Sequence, residues 1–300
     1  MTEKHDKELL LRIERLISSY DWFVKQSEDT PHEQKLVYGL RGLVTLANMV
    51  LKGHTAFDVE PWHVIGKNAK LSHAWELLLR LHDYRKDILP PYPFIMAFYE
   101  HDFIAQLDSI LTLAALRAFD INPSFSQVSI NVSAVSFQDE DFVTIVLKRL
   151  EKLELFRHPN QKIIFEIHES GDSLIPSKKV LSLFRELGVG FAIDDLGLTK
   201  HDMIRISELK GIADYIKIDR HYVLGTMDEE NNLANMMQYI RQMWPDSIII
   251  AEGVQSIKHA AEIAHLYPDI DYVQGLYLPK NHDDFQKHYK TMAPHVKIAL

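Results

Sequence analysis

Apolar residues along this chain repeat with two different periods. Over the first 55 residues Leu9, Ile13, Leu16, Ile17, Tyr20 and Phe23 recur at helix spacing. Ser27 to Pro31 interrupts the pattern, and a second apolar helix is expected from Gln34 to Leu51, with Gly53 closing it. This stretch, residues 1–55, reads as a helical extension that packs on the rest of the chain or on a second copy. So short a segment has little room for a core and ligand pocket of its own.

From Phe57 onward short β-branched runs alternate with amphipathic helix patterns. The runs are Val128–Val132, Lys162–Ile167, Gly190–Ile193, Tyr215–Ile218, Ser247–Ala251 and Tyr272–Val273. Between them, sets such as Phe142, Val146 and Leu150, or Leu233, Met236, Met237 and Ile240, mark one face of a helix. Strand–helix alternation implies parallel strands covered by helices. Successive runs end in Asn131, Glu166, Asp194 with Asp195, Lys217, Glu252 and Gln274, at intervals of 22 to 35 residues, about one βα unit each. A closed (β/α)8 barrel gathers the C-terminal ends of its strands on one face, where its chemistry takes place, whereas an open sheet spreads them along an edge. Six successive polar strand ends therefore favour the barrel.

Composition narrows the chemistry. The 300 residues are 46% hydrophobic and 25% charged, as in a globular chain, and the formal net charge is −9. That balance argues against a protein that grips duplex nucleic acid by counterion release, while a small nucleotide held through metal ions stays open. The absence of cysteine excludes disulfides, thiolate zinc sites and cysteine nucleophiles. No segment approaches the roughly 20 apolar residues needed to cross a bilayer, and a cytoplasmic protein is expected. Carboxylates with amide carbonyls favour Mg²⁺, Mn²⁺ or Ca²⁺ over zinc or copper. Paired metals at Asp194 and Asp195, with a lysine nearby, suit in-line attack on a phosphate ester. Proton abstraction of the enolase kind uses similar groups and is the alternative on residue chemistry alone.

The order of motifs points further. Trp75-Glu76-Leu77-Leu78-Leu79-Arg80 is similar to the E-A-L-L-R signature of the EAL domains, which hydrolyse cyclic di-GMP. Ser129-Ile130-Asn131-Val132-Ser133-Ala134 then resembles V-N-L-S-A, and Phe165-Glu166-Ile167-His168-Glu169-Ser170 resembles E-I-T-E-S. Ala192-Ile193-Asp194-Asp195, Ile216-Lys217-Ile218-Asp219-Arg220, Ala251-Glu252-Gly253-Val254 and Asp271-Tyr272-Val273-Gln274-Gly275 follow in the family's order, and Glu60-Pro61 stands where it usually has Q-P.

The resemblance implies a TIM-type barrel with one irregular strand over residues 56–300, no organic cofactor, and cleavage to linear pGpG. It implies that Glu76, Asn131, Glu166, Asp194, Asp195 and Glu252 hold two Mg²⁺ or Mn²⁺ ions. Lys217 would orient the water, with Glu252 and Glu76 in the catalytic group. Leu78, Arg80, Gln274 and Asp219 would meet the dinucleotide. Glu169 would anchor the loop after the paired aspartates, with His168 as a hydrogen-bonded neighbour. A homodimer is expected, and no membrane or duplex nucleic-acid partner.

Departures cluster beside the paired aspartates. The family's D-F-G-T-G-Y-S-S reads Asp195-Leu196-Gly197-Leu198-Thr199-Lys200-His201-Asp202 here, so the second glycine is gone, and Gln255 replaces a frequent second glutamate. The ligand set is spared, and its supporting loop is expected to be weakened. The alternative function is accordingly a receptor or protein-binding module on the same fold.

Overall fold

The computed structural model describes residues 57–66, 72–82, 88–89, 95–96, 98–99, 104–121, 126–153, 161–168, 175–197, 199–225 and 233–292. The helical extension expected over 1–55 lies outside them. The chain divides into two compact units, Met1–Asp58 with Leu79–Ala118, and Val59–Leu78 with Phe119–Leu300. In the first, a short antiparallel pair, β3 (Leu81–His82) and β4 (Ile88–Leu89), accompanies most of the helix Ile104–Ile121. Among the described residues no helix is long and apolar enough to cross a membrane.

The second unit is built on a closed barrel. Its strands are β1 (Phe57–Val64), β2 (Ala74–Leu79), β5 (Gln127–Ser133), β6 (Lys162–His168), β7 (Gly190–Leu196), β8 (Tyr215–Ile218), β9 (Ile248–Ala251) and β10 (Tyr272–Val273). Around the barrel they run β1-β10-β9-β8-β7-β6-β5-β2. The pairs from β2 through β5 to β10 are parallel, and β1 meets β10 antiparallel, with His63 opposite Val273. The expected irregular strand is thus β1. Six of the eight strands fall on the apolar runs read above. The other two escape because β1 carries Asp58, Glu60 and Pro61, and β2 is interrupted in its middle by Glu76.

Strands buried on both faces read as continuous apolar runs, and β6 shows how each face is used. Ile164 points into the barrel beside Trp62, Ala74, Ala192, Tyr215, Ile250 and Tyr272, one buried core cluster. Its neighbour Phe165 points outward, in ring contact with Phe137, Phe184 and Phe191 at centroid distances of 5.6 to 6.3 Å. Phe142, from helix Glu140–Leu150, and Phe184, from helix Lys178–Glu186, seat those helices on the same cluster. Aromatic pairs of this kind contribute about 0.5–1.5 kcal/mol each beyond the area they bury. Met236 and Met237 are buried, as a helix-core role requires. Helices Lys200–Leu209 and His282–Met292 have no strong apolar stripe in the sequence. The first buries Ile206 and Leu209 together with Asp202 and Arg205, and the second buries only His282 and Phe285.

Candidate metal and phosphate site

Side chains alternate along a strand, so the residue two places beyond an inward-facing core position also faces inward, one layer higher. That step leads from Ala74 to Glu76, Ile164 to Glu166, Ala192 to Asp194, Tyr215 to Lys217, Ile250 to Glu252 and Tyr272 to Gln274. The apolar layer therefore carries an ionic layer above it, at the C-terminal ends of the parallel strands. On β1, which runs the other way, the same step goes backward from Trp62 to Glu60. Glu60 lines the cleft of about 390 Å³ together with Asp195, Asp219, Glu252, Gln274 and Leu276. The sequence reading did not count Glu60 among the site residues. Counting backward on an antiparallel strand is the signal that finds it, and the strand's direction is not visible in the sequence.

Lys217 stands at the centre, 2% exposed. Its Nζ lies 2.5 Å from Glu166 Oε2, 2.7 Å from Asp194 Oδ1, 2.8 Å from Glu252 Oε1 and 3.3 Å from Glu76 Oε2. Asn131 donates to Glu76 Oε1 at 2.7 Å, and Gln274 donates to Glu76 Oε2 at 2.6 Å. His168 places one ring nitrogen on Asn131 Oδ1 and the other 2.8 Å from Asp194 Oδ2. Its side chain is about a third exposed.

One ammonium cannot balance four ionised carboxylates, so burial drives two of them towards the protonated form. Burial, reinforced by the charge of Glu76, pushes the Glu166 carboxyl up to about 8. Burial also pushes Glu252 well above the usual carboxylate range, against the pull of Lys217. Asp194 moves the other way: burial opposes its charge, but Lys217 and His168 outweigh burial and hold it below the ordinary value. Burial likewise disfavours the charged form of His168, and Asp194 outweighs it, raising His168 to about 9.

The Asp194–Asp195 pair sits on a bulge, since the β7–β8 register shifts between Ile193 and Leu196. Asp195 has φ = 47°, the only positive φ outside glycine among the described residues. Such a residue costs on the order of 1–3 kcal/mol and persists only where its surroundings hold it. The bulge is what brings two consecutive aspartates to one place, although strand alternation separates neighbours. Asp195 lines the cleft while Asp194 reaches Lys217.

A divalent cation fits these residues. Glu166 Oε1 is buried without a hydrogen-bond partner. One ligand atom from each of His168, Asp194 and Asp195 lies within 4.8 Å of the others. The donors are oxygen and imidazole, and a hard cation that displaces the protons held by Glu166 and Glu252 suits them. Asp219 caps the short helix Arg220–Val223 by accepting from the His221 amide at 2.7 Å. Arg80 belongs to the smaller unit, 3.8 Å from Asp58 and donating to Leu79 O at 3.0 Å. Leu78, near the end of β2, is half-buried. Glu169 lies outside the described residues.

A closed barrel, parallel but for β1, with an acidic, oxygen-rich cluster at its strand ends defines an α/β-barrel protein with a candidate metal site. The chain belongs to the EAL domain family, whose model matches residues 60–281. It is 28% identical over 297 residues to signaling protein YkoW of Bacillus subtilis, covering 93% of this chain and 34% of that protein. It is 26% identical over 189 residues to the probable cyclic di-GMP phosphodiesterase PdeD of Escherichia coli, covering 62% of this chain and 34% of that one. The chain therefore spans about a third of the length of these curated relatives. The crystal structure of the FimX EAL domain from Pseudomonas aeruginosa bound to c-di-GMP superposes with a TM-score of 0.64 at 19% identity, covering 82% of this chain and 99% of that one.

Proposed function

We propose that this protein is a metal-dependent phosphodiesterase that opens cyclic di-GMP to linear pGpG. The observation that carries the reading is the ionic layer around Lys217, placed where barrel enzymes do their chemistry and filled by the ligand-type residues of the family motifs. The PdeD relative, named for this activity, supplies the substrate.

Glu76, Asn131, Glu166, Asp194, Asp195 and Glu252, with His168 at the margin, would hold Mg²⁺ or Mn²⁺. When bound, the metal supplies Lewis-acid activation of water and charge neutralisation at the phosphate. Lys217 orients the attacking water through its ammonium and keeps the carboxylate layer from repelling itself. Gln274, fixed by its bond to Glu76, presents an amide to the cleft. Leu78, Arg80 and Asp219 are assigned to the dinucleotide. Water oxygen bonds to phosphorus, the bond from phosphorus to the 3′ oxygen breaks, and that oxygen takes up a proton. We place the domain at residues 56–300, preceded by a helical extension at 1–55, acting in the cytoplasm as a homodimer.

The test is incubation of purified protein with cyclic di-GMP and Mn²⁺ or Mg²⁺, with chromatography of the products. We expect pGpG from the wild type and a loss of at least about 100-fold in Glu76→Ala, the scale of removing a group that organises charge at a reacting centre. Intact cyclic di-GMP at high enzyme concentration with both metals overturns the reading. The altered sequence Leu196–Asp202 favours a second reading, a cyclic di-GMP receptor or protein-binding module without turnover. Tight binding of the dinucleotide without cleavage would select it.

A further inference from the structure

The loop expected to be weakened has acquired a support of its own. Thr199, in the place of the missing glycine, has φ = −75° and needs no glycine. It caps helix Lys200–Leu209 in a reciprocal box, donating through its hydroxyl to Asp202 Oδ2 at 2.5 Å and through its amide at 3.1 Å. The Asp202 amide donates back to Thr199 Oγ1 at 3.2 Å. The other carboxylate oxygen of Asp202 receives Arg205 Nη1 at 3.2 Å. Arg205 Nη2 then donates to two backbone carbonyls, Asp194 O at 2.8 Å and Ile167 O at 3.0 Å. Asp202 and Arg205 are 3% and 5% exposed. Gly197 leaves the space they occupy, since a Cβ there would stand 2.9 Å from Asp202 Oδ2.

The position of these bonds matters more than their number. The carbonyl of Asp194 belongs to the peptide that joins Asp194 to Asp195, the residue at φ = 47°. A hydrogen bond to that oxygen fixes the peptide plane and with it the direction of both carboxylates. The carbonyl of Ile167 lies just before His168, which touches both Asn131 and Asp194. One guanidinium thus ties the bulge of β7 to the end of β6, using the planar fork that lysine lacks. A buried ion pair is an inefficient source of stability, and specifying geometry is its better-attested use.

We infer that Arg205, held by Asp202, is a positioning residue for the metal-binding aspartates, replacing the support that a glycine-bearing loop gives elsewhere in the family. The inference rests on the metal-site reading above.

Mn²⁺ binding by calorimetry on the full chain tests it, with Arg205→Lys and Asp202→Asn compared with wild type and folding checked by circular dichroism. We expect folded Arg205→Lys to bind Mn²⁺ about 10- to 100-fold more weakly, the usual effect of losing a residue that orients a ligand. Asp202→Asn should fall between it and wild type. In turnover, the Mn²⁺ concentration for half-activation should shift by the same factor, with kcat recovered at saturating Mn²⁺ and KM for cyclic di-GMP unchanged. Folded Arg205→Lys with wild-type Mn²⁺ affinity overturns the inference. Should Arg205→Lys not fold, unchanged affinity in Asp202→Asn overturns it instead. Wild type that binds Mn²⁺ without cleaving cyclic di-GMP removes the enzymatic reading, and the inference is still read from the affinities. Wild type that binds no Mn²⁺ removes both.

Discussion

Two layers of the same barrel, two residues apart on each strand, are built on opposite principles. The lower layer of Trp62, Ile164, Tyr215, Ile250 and Tyr272 excludes water and contains no ionised group. The upper layer sets four carboxylates around a single ammonium, with one buried carboxylate oxygen lacking any hydrogen bond. The lower layer stabilises. The upper one crowds carboxyl groups, two of which burial drives towards their protonated forms, and the lower layer and the closed barrel hold them together. The contrast teaches that burial alone does not separate scaffold from site in this fold, because Glu76, Glu166, Asp194 and Lys217 are buried almost as fully as the apolar layer. Charge and unmet hydrogen bonding separate them.

The strongest way to break the contrast is Lys217→Met, which leaves the upper layer without its cation. Removing one partner from a buried ionic cluster costs about 3–5 kcal/mol. Urea unfolding should show that loss, partly recovered by Mn²⁺, and turnover should vanish. A variant as stable as wild type and indifferent to Mn²⁺ would mean that Lys217 does not hold the layer together. Ile250→Ala tests the lower layer: a loss of about 2–5 kcal/mol is expected from the cavity, with Mn²⁺ affinity of the folded fraction preserved. If metal affinity falls as sharply as stability, the layers are not separable.

The smallest effect sharpens the comparison with a third kind of buried polar group. His63, on the outward face of β1, donates through Nε2 to Pro279 O at 2.8 Å, and its Nδ1 lies 3.0 Å from His282 Nδ1. With Phe285 stacked on His63 at 4.0 Å and His73 on His282 at 3.8 Å, this seam suits neutral rings. Burial lowers His63 to about 4 and His282 to about 3 from an ordinary 6.5. The unfolded chain binds protons that the folded chain refuses, so this stability is complete above pH 6.5 and is lost as pH falls towards 4 and 3. The loss should amount to several kcal/mol in unfolding measured against pH. His282→Phe, keeping the ring and removing the base, should flatten that slope, and an unchanged slope would place the acid sensitivity elsewhere.

Much of this was legible in the residues, for physical reasons. Strands buried on both faces are mostly apolar, so Lys162–Ile167 and Tyr215–Ile218 announced themselves, and the polar residue at or near the end of each run marked the rim of the candidate site. Glu76 was found only through the resemblance of its motif, because it sits in the middle of its strand and breaks the apolar run instead of ending it. Helix Lys200–Leu209 was not read, since its buried positions include Asp202 and Arg205, which look like surface residues until their partners are known.

By itself, then, the sequence determined the period-two and helical patterns, the oxygen-rich chemistry and the family. These are local properties, written in which residues follow which. The tertiary structure alone decided that β1 runs backward and brings Glu60 into the cleft, and that Lys217 is shared by four carboxylates. It alone decided that Asp195 takes a positive φ and that Arg205 holds the bulge. Each depends on pairing between residues far apart in the chain, and the energy of a buried charge is set by neighbours that only closure of the barrel supplies.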